Sequence, residues 1–135
     1  MSIHRLESAK QFVTRCILLN RFHAPDEEDY EAAGHALGSI HRGFPRAEAH
    51  EQAAYIITAI AAAKPFAEAN FRTAYDYVAD MLAHNDYDLA ATLRQQQDLG
   101  TRVWGAMEGD GEAAVRALTA TWYKARITSL GKGAR

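Results

Sequence analysis

The sequence predicts an all-α fold, a compact bundle of about six helices around a buried central one. Three observations carry this expectation. Apolar residues recur at helical spacing along most of the chain. Strand signals are nearly absent. One segment, Ala53 to Ile60, is apolar all round, which marks a helix enclosed by others.

Taken in order, Ala9, Phe12, Val13, Cys16 and Ile17 follow the i, i+3, i+4, i+7 spacing of an amphipathic first helix. Pro25-Asp26-Glu27-Glu28-Asp29 reads as the start of a second, because proline suits the first turn and acids suit the positive end of the helix dipole. That helix runs to about Ser39, with Tyr30, Ala33, Leu37 and Ile40 on one face, and His41 to Pro45 form a turn. The third helix begins near Arg46. It stops at or before Lys64, since Pro65 disfavours helical geometry in the residue before it. The fourth starts near Asn70, carries Phe71, Ala74, Tyr75, Val78, Met81 and Leu82, and ends near Asn85-Asp86. Tyr87 to Ala91 is an extended connector. The fifth helix covers about Leu93 to Met107, with Leu99, Val103 and Met107 inward. Glu108-Gly109-Asp110-Gly111 breaks the chain, and a sixth helix presents Val115, Leu118 and Trp122 to the core. Residues 130–135 read as a flexible tail.

The 135 residues make one domain, 1–135, with room for one core. With 48% hydrophobic and 24% charged residues the composition is that of a soluble globular protein, not a disordered one. A net charge of −2 argues against general affinity for nucleic acid or acidic membranes. A single cysteine, Cys16, excludes an internal disulfide and a cysteine-based zinc site, and its neighbours Val13, Ile17 and Leu18 predict a buried thiol. The longest apolar run, Ala53 to Ala63, is too short to span a bilayer, and no secretory leader is legible, so a cytoplasmic protein is expected.

The stretch Ala61 to Val78 carries the chemistry. It places a short loop around Lys64-Pro65 between a buried helix and a new one opening at Asn70. A helix N-terminus offers unpaired N–H groups and about half a positive charge, and phosphates bind there readily. Arg72, in the first turn, adds a guanidinium that grips phosphate oxygens in bidentate fashion. Glu68 offers a hard oxygen to Mg²⁺, which binds through one or two carboxylates plus substrate phosphates. Asn70 can hydrogen-bond a phosphate or cap the helix, and Phe66 inserts into the core and fixes the path of the loop. A plainer reading stands beside this one: Glu68 and Asn70 as cap residues, with Arg72 on a solvated face.

Lys64-Pro65-Phe66-Ala67-Glu68-Ala69-Asn70-Phe71-Arg72-Thr73-Ala74 resembles the signature loop of the Fic/Doc superfamily, closest to the Doc (death-on-curing) toxin branch. That pattern reads His-x-Phe-x-Asp/Glu-Ala/Gly-Asn-Lys/Gly-Arg, and Phe66, Glu68, Ala69, Asn70 and Arg72 match it. Asn85-Asp86-Tyr87-Asp88-Leu89 resembles the family's Asn-Gly-Tyr-x-Leu, and the closing helices around Glu108-Gly109 match in spacing. The resemblance covers residues 50–125 well and the N-terminal third by helix pattern alone. It implies binding of ATP or another nucleoside triphosphate with Mg²⁺, for AMP or phosphoryl transfer to a protein hydroxyl. Glu68 would hold Mg²⁺, Asn70 and the following N–H groups would cradle phosphates, and Arg72 would pair with phosphate charge. A toxin–antitoxin origin, an antitoxin-like peptide or protein partner, and a translation factor as protein substrate come with it. A homo-oligomer is compatible with the sequence.

Two positions depart from the pattern. Lys64 occupies the place of the catalytic histidine. A general base works best with a pKa near the operating pH, whereas lysine starts at about 10.4. Phosphates and Glu68 nearby would favour the ammonium further, so Lys64 is expected to be charged, a poor base, and able to grip phosphate. Phe71 replaces Lys or Gly and fits the apolar face of the fourth helix. Three outcomes are compatible with Lys64: a divergent transferase using another proton acceptor or a deprotonated lysine, an inactive regulatory or binding module on the same fold, or a residue placed there to disarm a toxic enzyme. A helical module with no nucleotide site is the competing class.

Among other features, His50-Glu51 lacks the second histidine of His-Glu-x-x-His, and no tight histidine pair marks a metal site. His41 and His50 flank the start of the third helix, and one of them is a candidate to approach the loop. Trp104 and Trp122 read as core or interface residues. Glu108 to Glu112 lacks the ligand spacing of a calcium loop.

Overall fold

In the computed structural model, residue 3 and residues 6–26 and 29–130 are described. Helix α1 spans Ala9–His23, α2 Tyr30–Arg42, α3 Ala49–Ala63 and α4 Asn70–His84. Strand β1 (Tyr87–Leu89), α5 (Leu93–Gly109), α6 (Glu112–Lys124) and β2 (Ile127–Ser129) complete the order. The fold is all-α. The start of α2 lies later than the acidic run suggested, because Asp29 is its N-cap and accepts a hydrogen bond from the Ala32 N–H. Glu27 and Glu28, like the expected tail at 131–135, lie outside the described residues.

The ends of the helices follow local chemistry. Ser8 with Gln11, and Thr92 with Gln95, form reciprocal capping boxes at α1 and α5. Gly111 separates α5 from α6 with φ at 87°, a left-handed conformation that favours glycine. Helix α3 is central. It packs against α6, α4, α2 and α5, while α1 lies against α2 and α4. Ala53, Ala54, Ile56, Ile57 and Ile60 of α3 are buried, as an all-round apolar helix requires. Phe12 of α1 meets Tyr77 of α4 edge-on, with centroids 4.8 Å apart, and Phe44 at 5.1 Å.

The connector after α4 is more than extended. Tyr87, Asp88 and Leu89 pair antiparallel with Ser129, Thr128 and Ile127. Bonds from Ala90 N–H to the Arg126 carbonyl and from Leu130 N–H to the Asp86 carbonyl, both 3.0 Å, lengthen this ribbon at its two ends. Leu130, read as the first residue of the tail, therefore has a bonded backbone. Trp122 is buried as expected, but Trp104 stands 60% exposed on α5. Among the described residues no helix is long and apolar enough to cross a membrane.

Candidate functional site

The loop between α3 and α4 turns on two left-handed residues. Helix α3 stops at Ala63; Lys64 takes φ 47° and ψ 60°, and its N–H closes the helix on the Ile60 carbonyl at 2.9 Å. Pro65 follows and cannot donate a bond that would continue the helix. Ala69, with φ 61° and ψ 31°, turns the chain into α4. Between them Phe66 is buried, its ring edge-on to Tyr30 at 6.3 Å. This is the role the sequence suggests for it.

Asn70 closes the loop on itself. Its Oδ1 accepts from the Phe66 N–H at 3.0 Å, and its Nδ2 donates to the Phe66 carbonyl at 2.8 Å. The side chain thus neither caps α4 nor stands free. A residue that sequence reasoning missed pins the loop from outside. Asn20 of α1, fully buried, donates through Nδ2 to the Glu68 carbonyl at 2.9 Å and to Thr73 Oγ1 at 3.2 Å. The available signal was its place four residues after Cys16 on the apolar stripe of α1.

The loop leaves its charges outward. Helix α4 has no side-chain cap at its N-terminus. Lys64 and Glu68 are both exposed. Among the described residues the Glu68 carboxylate makes no hydrogen bond or ion pair. It is available as a hard oxygen ligand, which suits Mg²⁺ carried on substrate phosphates. The Lys64 ammonium lies 5.2 Å from the centroid of the Trp104 ring, a cation–π position. Beside it Ala61, Phe71, Val103, Trp104 and Met107 line a small, largely apolar hollow of about 70 Å³. Phe71 faces this hollow and packs against the core, so it is no phosphate ligand. Gly100 permits the close approach, because a Cβ there would sit 3.0 Å from Phe71 Cε2.

Arg72 is already engaged. Its Nη1 donates to Gln96 Oε1 at 3.1 Å, its Nη2 lies 3.3 Å from Asp76 Oδ1, and its guanidinium sits 5.5 Å from the Tyr75 ring centroid. Asp76 also accepts from His23 Nε2 at the end of α1. The chain His23–Asp76–Arg72–Gln96 thus crosses from α1 through α4 to α5. Within it only the i, i+4 spacing of Arg72 and Asp76 is a local signal.

The other histidines lie elsewhere. His41 Nε2 bonds the Glu7 carbonyl at 2.8 Å, and His50 Nδ1 lies 3.6 Å from Glu48 Oε2. His41 lies in the last turn of α2 against Phe12 and Phe44, and His50 sits in the first turn of α3, about 20 Å of helix from Lys64, so neither approaches the loop as the sequence allowed. Glu48, His50 and Glu51 bring one ligand atom each within 4.8 Å of one another at that end. They flank the N-terminus of α3, whose dipole opposes a cation. Comparison with family models, curated proteins and solved structures found no match.

Proposed function

We propose that the 64–72 loop is a Fic/Doc-like nucleotide site. It holds ATP or another nucleoside triphosphate with Mg²⁺ for phosphoryl or AMP transfer to a protein hydroxyl, and its activity is weakened or lost because Lys64 stands at the base position. One observation carries this reading. A helix N-terminus without a side-chain cap is bracketed, within nine residues (64–72), by a lysine, an unpaired carboxylate and an arginine. Backbone N–H groups and Arg72 suit phosphate oxygens, and Glu68 suits the metal. Asn70 serves through the shape it imposes on the loop. The protein substrate sought first is a translation factor, and the regulating partner an antitoxin-like peptide or protein.

A second reading, a binding or regulatory module without transfer, rests on a specific observation. Arg72 is held by Asp76 and Gln96, and Lys64 lies over Trp104. A phosphate must draw both away from these contacts. The test is calorimetric titration with ATP and Mg²⁺, paired with transfer from ATP labelled at the α or γ phosphate into a host lysate. The nucleotide reading expects Glu68→Ala and Arg72→Ala each to weaken ATP affinity about tenfold, the scale of one charge-assisted hydrogen bond. Unchanged affinity, or none to lose, refutes it. Binding without labelled product, restored by Lys64→His, identifies a disarmed transferase.

A further inference from the structure

The geometry points to His23 as the proton acceptor of the transfer reaction, oriented by Asp76, in place of the histidine that Lys64 replaces. The inference rests on the transferase reading above.

Placement is the first argument. Helices α1 and α4 run antiparallel: Arg15 Nη1 lies 3.9 Å from Asp80, and Asn20, later in α1, meets Thr73, earlier in α4. The C-terminal end of α1 therefore lies at the end of α4 that carries the loop. Asn20 confirms the level by bonding the Glu68 carbonyl. His23, the last residue of α1, turns its ring to Asp76 in the second turn of α4, and Asp76 in turn pairs with Arg72 of the first turn.

Chemistry is the second. Imidazole is the side chain most often used as a general base, whereas an ammonium has no lone pair with which to accept a proton. Asp76 can only accept, so the ring donates from Nε2, and the basic lone pair is on Nδ1. Nδ1 has no hydrogen-bond partner among the described residues. This is the carboxylate–imidazole arrangement that fixes a tautomer and stabilises the imidazolium once formed. The imidazole is 21% exposed. The charged groups facing it are Asp76 and, behind Asp76, Arg72; Arg21 on its own helix turns instead to the Tyr30 ring.

In the step, the target hydroxyl gives its proton to His23 Nδ1 as its oxygen forms a bond to phosphorus. The bond from that phosphorus to the leaving oxygen breaks. ADP departs if the γ-phosphoryl group moves, pyrophosphate if AMP moves. Asp76 touches no reacting atom and is a positioning residue.

The experiment measures ATP affinity and labelled transfer on the full chain and on His23→Gln, His23→Ala, Asp76→Asn and Lys64→His. If His23 is the base, His23→Gln lowers kcat about 100-fold or more while ATP affinity holds. Free imidazole then restores part of the rate to His23→Ala, which a structural role would not allow. Asp76→Asn lowers kcat in the same direction without imidazole rescue. Transfer that survives His23→Gln overturns the assignment and leaves the nucleotide reading standing. So does a chain that binds ATP but transfers only after Lys64→His. A chain that binds no ATP with Mg²⁺ removes the nucleotide reading itself, and the assignment with it.

Discussion

Lys64 and Ala69 both hold positive φ, at 47° and 61°, one at each end of the same loop. For an L-residue this conformation costs roughly 1–2 kcal/mol, because Cβ crowds the following carbonyl. The surroundings must hold it, and they do so through the two bonds exchanged between Asn70 and Phe66 and the buried Phe66 ring. Ala69→Gly removes the crowding and deletes only a methyl group. It is expected to raise stability by roughly 1 kcal/mol, read as a higher urea midpoint with an unchanged slope. A lower midpoint would mean that the loop does not hold this conformation in solution. At this scale the sequence is legible where a residue acts on its neighbours: Pro65 ending α3, Phe66 going inward, Asn70 opening α4. It is illegible where partners are far apart in the chain. Asn20 and Glu68, or His23 and Asp76, carry no mutual signal, and only folding brings them together.

The segment before α1 shows how elements are tied by a single carboxylate. Glu7 accepts from Arg15 Nε and Nη2, both at 3.0 Å, and from the Tyr77 hydroxyl at 2.9 Å. Its backbone carbonyl takes the bond from His41. One residue thereby joins α1, α2 and α4. Burial alone would raise the Glu7 pKa, but the hydrogen bonds from Arg15 and Tyr77 outweigh it and leave the carboxyl below its ordinary value of 4.5. A depressed folded-state pKa means that the unfolded chain binds the proton first. The contribution is therefore complete above 4.5 and is lost as pH falls through the lower folded-state value. Urea midpoints measured from pH 6 down to pH 3 should fall more steeply for the wild type than for Glu7→Gln; parallel curves would show that the clamp is not formed. The β1–β2 ribbon is the other tie between elements, and it escaped sequence reading for a physical reason. Strands of three residues, Tyr87–Leu89 and Ile127–Ser129, are too short to display a period of two. Their pairing joins positions some forty residues apart, across α5 and α6.

At the scale of the whole molecule the all-round apolar α3 dictated the arrangement, since such a helix is stable only when enclosed. The same enclosure makes Cys16 a reporter of the entire fold. It is fully buried on α1, and burial pushes its thiol pKa well up, so it is neither accessible nor ionised in the native protein. A thiol reagent reaches it only when α1 separates from α2 and α4. If that separation requires global unfolding, the free energy derived from thiol labelling equals that from far-ultraviolet circular dichroism, and both rise together in Ala69→Gly. If α1 detaches by itself, labelling gives the smaller value and Ala69→Gly leaves it unchanged. The second result would bear on the site, because α1 carries both Asn20, which pins the loop, and His23. A helix that opens alone would release both at once, and under the proposed transferase reading the rate would be limited by the population in which α1 is docked.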